Sequence, residues 1–170
     1  KYFDHLLKRV HRIVFDSSIE SYPIRDLPWP NPKRVVDLAR ARLLPVRQAI
    51  GQYLSGIPFE LLSKKLEWIK VSYAPNRKGE AFHLMQWLVH CLKCDGDNAV
   101  NSKLIELEPN ANESLGFEME YSHGPFIKWT QLDNSSISHL RHNLDGVEKD
   151  LPIRIKPMLP EQELSEAFYF

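Results

Sequence analysis

Glycine is scarce, with seven in 170 residues, and none falls into a GxGxxG or GxxxxGK[ST] spacing. Such turns supply the string of backbone amides that wraps a di- or triphosphate, so their absence argues against a classical nucleotide site. Cysteine is scarcer still: only Cys91 and Cys94, too few for a disulfide-stapled secreted scaffold. No GxSxG elbow is present for a hydrolase, and the seven histidines form no HExxH or comparable metal spacing. No apolar run approaches the roughly 18 residues that a membrane span requires. There is no internal repeat and no low-complexity segment. The chain opens Lys1-Tyr2-Phe3-Asp4, without Met or an apolar signal core, and reads as a fragment or a processed product. These absences point to a cytoplasmic protein with no metal, no cofactor, and neither nucleic acid nor membrane as partner.

What remains is the composition of a globular domain, 43% hydrophobic and 26% charged. Its 22 basic and 22 acidic residues balance, but their placement does not. Residues 1–90 carry 15 Lys/Arg against 8 Asp/Glu, a net of +7, and residues 91–170 carry 7 against 14, a net of −7. Such a split lets the two halves attract each other or lets each face a different partner. The basic run Lys33, Arg34, Arg40, Arg42 and Arg47 lacks the interleaved aromatics that stack bases, and its plainer reading is a solvated helix face.

Residues 2–9 have helical spacing, with Phe3, Leu6, Leu7 and Val10 as the apolar positions. The short run Arg12-Ile13-Val14-Phe15 predicts a buried strand that delivers Asp16-Ser17-Ser18 to the C-terminal edge of a sheet. Pro23, Pro28, Pro30 and Pro32 make 19–32 an extended loop. Asn31-Pro32 predicts a helix start, and Val35, Ala39, Leu43, Val46, Ile50, Tyr53 and Leu54 keep the helical period, with Pro45 kinking or splitting it. A short helix over 58–66, a strand over 67–73 and a strong amphipathic helix over 80–93 follow, the last ended by Asp95-Gly96-Asp97-Asn98. Short alternating runs near 102–108, 115–122, 125–132 and 151–156 predict strands, and a last helix begins near Pro160. The expected fold is mixed α/β (α+β): helices packed on a sheet over 1–98, then an antiparallel β meander with a C-terminal helix over 99–170, the two packed as one unit.

No catalytic constellation stands out. Cys91-Leu92-Lys93-Cys94 is a CxxC at a predicted helix C-terminus, where the dipole raises thiol pKa. That placement opposes fast redox catalysis and leaves core or half-exposed thiols, a regulatory disulfide, or a metal site as readings. His83 and His90 share a helix face suited to packing or capping, His139 and His142 fall in a β-rich or turn region, and Glu118 and Glu120 share one solvated strand face. Arg42 and Arg47 flank Pro45. Their guanidinium groups suit charge-assisted bonds either to a partner's carboxylate or internally to Asp16 or Asp37. Asp16, Ser17 and Ser18, followed by the basic helix, suit a sugar phosphate.

Three stretches in one order resemble a single family. Arg12-Ile13-Val14-Phe15-Asp16-Ser17 is similar to an "RVIVDS" strand. Asp37, Leu38, Arg42, Leu43, Pro45 and Arg47 match a "DLxWxRLxPWR" segment, and Leu84 to Leu92 is similar to an "LLxGWLAxRL" helix. The family is that of the bacterial glucose-6-phosphate dehydrogenase assembly proteins (OpcA-like). The chain departs from the pattern at Arg40 and Val46, which replace two tryptophans, at Gln86, which replaces a glycine, and at Cys91, which replaces an arginine. Family members are longer, so a divergent member lacking its N-terminal region is implied. The resemblance implies a non-enzymatic activator that docks on glucose-6-phosphate dehydrogenase in the oxidative pentose phosphate pathway. Arg42, Arg47 and Asp37 are then candidates for the partner contact. Some members are linked to redox control, which adds weight to Cys91 and Cys94, although the family's control cysteines do not map onto them securely. A sugar-phosphate regulatory module using Asp16, Ser17 and Ser18 is the alternative.

Overall fold

The computed structural model describes residues 5, 7, 9–19, 29, 31–92, 100–133 and 135–169. The helical spacing expected over 2–9 is met at His5, Leu7 and Arg9, which are helical. Phe3, Leu6, most of the proline loop, Cys94 and the segment Asp95-Gly96-Asp97-Asn98 lie outside the described residues.

Strand β1 (Ile13–Phe15) pairs in parallel with β2 (Val35–Asp37), matching Ile13 to Val35 and Phe15 to Asp37. The second strand departs from the expected helix start. Asn31 does cap Lys33 and Pro32 does open a turn, but that turn is one 3-10 turn, Pro32–Arg34, after which the β-branched pair Val35-Val36 extends. The helix starts instead at α1 (Leu38–Arg42), capped by Asp37, whose carboxylate accepts from Ala39 N. Pro45 then splits the helix as its ring requires: α1 stops, and α2 (Leu44–Leu54) restarts with Pro45 in its first turn, where a missing amide costs nothing. A short helix α3 (Phe59–Ser63) leads into β3 (Leu66–Tyr73), and α4 (Lys78–Cys91) crosses to β4 (Asn101–Glu106).

β3 and β4 are parallel neighbours, so α4 is the crossover that a parallel pair needs. The rest is the antiparallel meander β5 (Glu113–Tyr121), β6 (Phe126–Leu132), β7 (Ile137–Asn143) and β8 (Lys149–Arg154), giving the order β4-β3-β5-β6-β7-β8. The fold is thus mixed α/β, with helices of the first half on the sheet and an antiparallel meander in the second. Helix α5 (Pro160–Tyr169) returns to pack on α1 and β2.

The sheet has one apolar and one polar face, as period-two strands with a single covered side should. Ile69, Val71, Phe117, Met119, Ile127, Trp129 and Leu140 point inward and pack against Val46 and Ile50 of α2 and Leu84 and Leu88 of α4. One core therefore joins the two halves of the chain. Outward, Lys70 pairs with Glu120, and Lys128 stands 3.9 Å from Glu118, so the two glutamates share the polar face that the alternation predicts. Among the described residues no helix is long and apolar enough to cross a membrane.

Candidate functional site

At the C-terminal end of β1 the chain turns, and Asp16 Oδ1 accepts from Ser18 N at 3.0 Å. The other oxygen of Asp16 accepts from Arg42 Nη2. Arg42 comes from the last residue of α1, and its fork is divided among several elements. Its Nη1 donates to Glu80 Oε1 at 2.8 Å and its Nε to Glu163 Oε2 at 3.0 Å, with Ser18 Oγ at 3.4 Å from Nη1. Ser18 Oγ donates to Glu80 Oε2 at 2.5 Å. Arg77 Nε approaches Glu80 Oε1 at 3.7 Å, while its Nη1 donates to Ser114 Oγ at 3.2 Å and Gln131 Oε1 at 3.1 Å. One cluster thus ties the turn after β1, α1, α4 and α5 to strands β5 and β6.

Burial opposes the charge of Arg42, but its hydrogen bonds to Glu80 and Glu163 outweigh that and hold its pKa above the ordinary value. Arg77 moves the other way: burial depresses its pKa, with Glu80 offsetting part of the effect. The Ser18–Glu80 contact has the reach of a nucleophile and its base. However, Glu80 Oε1 is already bound by Arg42 and approached by Arg77, so the carboxylate is committed to ion pairs within the cluster. The contacts of the cluster join these elements to one another.

Asp37 is equally committed. It is buried, and its Oδ1 accepts from Ser17 N and Ala39 N, both at 3.1 Å, while Oδ2 lies 2.8 Å from His83 Nε2. Of the internal pairings open to Arg42, the structure forms the one with Asp16. The polar groups of Asp16 and Ser18 are spent on the same joint, so the strand end does not present them to a ligand. Nor is the basic run one solvated helix face: Arg42 is in the joint and Arg34 and Arg47 are half-buried, whereas Lys33 and Arg40 are exposed. Glu80 and Glu163 were not singled out by the sequence. The signal for Glu80 is that it stands four residues before Leu84, on the buried stripe of its helix, where an acid needs a partner. Glu163 gave no comparable signal, because its partner is far away in sequence.

Beside the joint lies a cavity of about 670 Å³ between the β1–β2 pair and helices α1, α2, α4 and α5. Arg12, Lys33, Arg40 and Arg47 line it, with Phe15 and Trp87 among its apolar walls. Arg40, Arg47, His83 and Trp87 also border an adjoining space of about 300 Å³ that reaches Gln86 and His90. Arg47 donates to the Arg40 carbonyl at 3.4 Å, while its Nε is buried and unpartnered. Burial depresses the pKa of Arg47, and the neighbouring charge of Arg40 adds to this.

Cys91 is the last residue of α4 and is exposed, at the helix end where the sequence places it. Partial burial of its thiol raises the pKa, and Arg47 draws it only part of the way back. Alkylation of Cys91 by iodoacetamide at pH 7 is therefore expected to be slower than that of a free cysteine, with the rate rising only as pH passes the ordinary thiol range. Mass spectrometry of a Cys94→Ser variant reads this directly, and fast alkylation at pH 7 would contradict it.

Comparison with protein-family models, with curated proteins and with solved structures finds no match to this chain.

Proposed function

We propose that this protein is a non-enzymatic assembly factor and allosteric activator of glucose-6-phosphate dehydrogenase, acting by protein–protein docking in the oxidative pentose phosphate pathway. One observation supports the reading above the rest. The three stretches that resemble the assembly family, scattered over the first half of the chain, meet at one place. Asp16 of the first is bound by Arg42 of the second, and Ser17 N of the first donates to Asp37 of the second. Arg40 and Arg47 of the second share a cavity wall with Gln86, Trp87 and His90 of the third. A motif set whose members build one joint and one adjoining surface is what a common docking role requires. In this reading Asp37 and Arg42 hold the surface from behind, and Arg47 stands at it. Cys91 and Cys94 are the candidates for redox control of the interaction.

The test is a pull-down of the cognate dehydrogenase on the immobilised protein. Retention of the dehydrogenase above a blank matrix, competed by free protein, is the expected result. A dehydrogenase that passes through unretained under both reducing and oxidising conditions would refute the docking role.

A second reading, a regulatory module for a small sugar phosphate, is favoured by the cation-lined cavity beside the joint. Its ligand would sit against Arg40 and Arg47, next to Asp16, Ser17 and Ser18 rather than on them.

A further inference from the structure

The cavity between the β1–β2 pair and the helices carries an imbalance of charge that no ion pair among the described residues resolves. Arg12, Lys33, Arg40 and Arg47 line it, and among the described residues none of the four forms an ion pair with a carboxylate. Two carboxylates are in the lining. Asp37 has both oxygens occupied by Ser17 N, Ala39 N and His83. Glu166 acts on Arg47 only from beyond ion-pair distance. Arg12 spends one nitrogen on the Ala167 carbonyl at 3.1 Å.

Arg47 is the sharpest case. A half-buried guanidinium with an unpartnered Nε, set beside a second cation, is costly to fold around unless something else occupies the space. The joint next door shows the alternative within the same motif, since Arg42 is fully matched by acids while Arg47 forms no ion pair among the described residues. The cavity volume lies in the range of small-ligand sites, and Phe15 and Trp87 supply apolar walls. Guanidinium forks favour phosphate oxygens, each of which accepts without needing a proton from the protein.

We propose that this cavity binds a small phosphate monoester, with the phosphate dianion between the guanidinium groups of Arg40 and Arg47 and the organic part against Phe15 and Trp87. The assignment deepens the regulatory-module reading and rests on it. It needs no dehydrogenase to be present.

Thermal shift and calorimetry on the protein alone test it, with glucose 6-phosphate, glucose and inorganic phosphate as the probes. Glucose 6-phosphate at millimolar concentration is expected to raise Tm by mass action, and glucose is not. The double variant Arg40→Gln/Arg47→Gln is expected to weaken binding by about tenfold or more, as loss of charge-assisted bonds implies. Arg40→Gln alone, at an exposed position, gives part of that loss in a protein whose folding it does not threaten. Lys103→Gln, at an exposed position on β4, is expected to leave affinity unchanged. If glucose 6-phosphate binds and the double variant binds it equally well, the site assignment fails while the regulatory-module reading stands. If no phosphate compound binds the wild-type protein, that reading fails and the site falls with it. Equal affinity for inorganic phosphate and glucose 6-phosphate would overturn the role given to Phe15 and Trp87, and with it the monoester assignment.

Discussion

Replacing Arg42 with alanine is expected to remove about 3 kcal/mol of stability, the lower end of what breaking a buried ion pair costs. The reason is what it leaves behind. Glu80 is only 2% exposed and would lose its strongest partner, with Asp16 and Glu163 also stripped of theirs. Arg77 remains, but at 3.7 Å and already shared with Ser114 and Gln131. Partial exposure of Arg42 itself lets water reach the vacated space and keeps the loss from being larger. For a chain of this size about 3 kcal/mol corresponds to a fall in Tm of about 6–12 °C. Adding Glu80→Gln to Arg42→Ala should recover part of it, because the most buried orphaned charge is then gone. Arg47→Ala is the internal comparison. Its Nε has no partner to lose, so a change of about 1 kcal/mol or less is expected, mostly from its aliphatic stem. Urea denaturation of the single variants and the double variant reads all three. Equal losses for the two arginines would contradict the division of roles between them.

Gly79→Ala should destabilise by about 2–3 kcal/mol, although in an ordinary helix the same change stabilises by about 1 kcal/mol. Gly79 is the second residue of α4, and a Cβ there would stand 2.2 Å from Ser17 Oγ and 3.0 Å from the Ser17 carbonyl carbon and Ala39 Cβ. The hydroxyl can rotate away, but the backbone of Ser17 cannot move without carrying Asp16 and Ser18 with it, and both belong to the Arg42 joint. Overpacking at this point is therefore transmitted to the charge cluster. Gly51 supplies the control: within α2, its added Cβ would meet Trp87 at an ordinary 3.6 Å, so Gly51→Ala should be neutral or stabilising by up to about 1 kcal/mol. Opposite signs for the two substitutions in the same denaturation assay are the expected result. A stabilising Gly79→Ala would mean that the turn after β1 is not packed on α4 as described.

How much of this was legible in the sequence follows from where each element gets its determinants. The split at Pro45, the long helix α4 and the strands β3, β5 and β6 are written locally, in a ring clash or in apolar periodicity. Strand β2 was hidden because Asn31-Pro32 carries a helix-start signal that is satisfied by one 3-10 turn. Strand β7 was hidden for a different reason. Its inward positions are Ser138, Leu140 and His142, so two of the three are polar and the alternation that marks a half-buried strand is weak. The parallel pairing of β3 with β4 depends on a crossover that no local pattern encodes. The same holds at the joint. Arg42 and Asp16 stand out as charges needing partners, but which acid meets which base is decided by packing between distant segments. Arg47 sits in the same motif as Arg42, and only the structure separates the matched guanidinium from the unmatched one.

The proposal that this protein activates a dehydrogenase without chemistry of its own is tested most directly by titrating it into the cognate glucose-6-phosphate dehydrogenase and measuring the half-saturation for glucose 6-phosphate, once with thiols reduced and once oxidised. The predicted result is a half-saturation that falls and then levels off at a fixed stoichiometry, with any difference between the two conditions abolished by Cys91→Ser. An unchanged half-saturation at saturating protein, in both conditions, would contradict it.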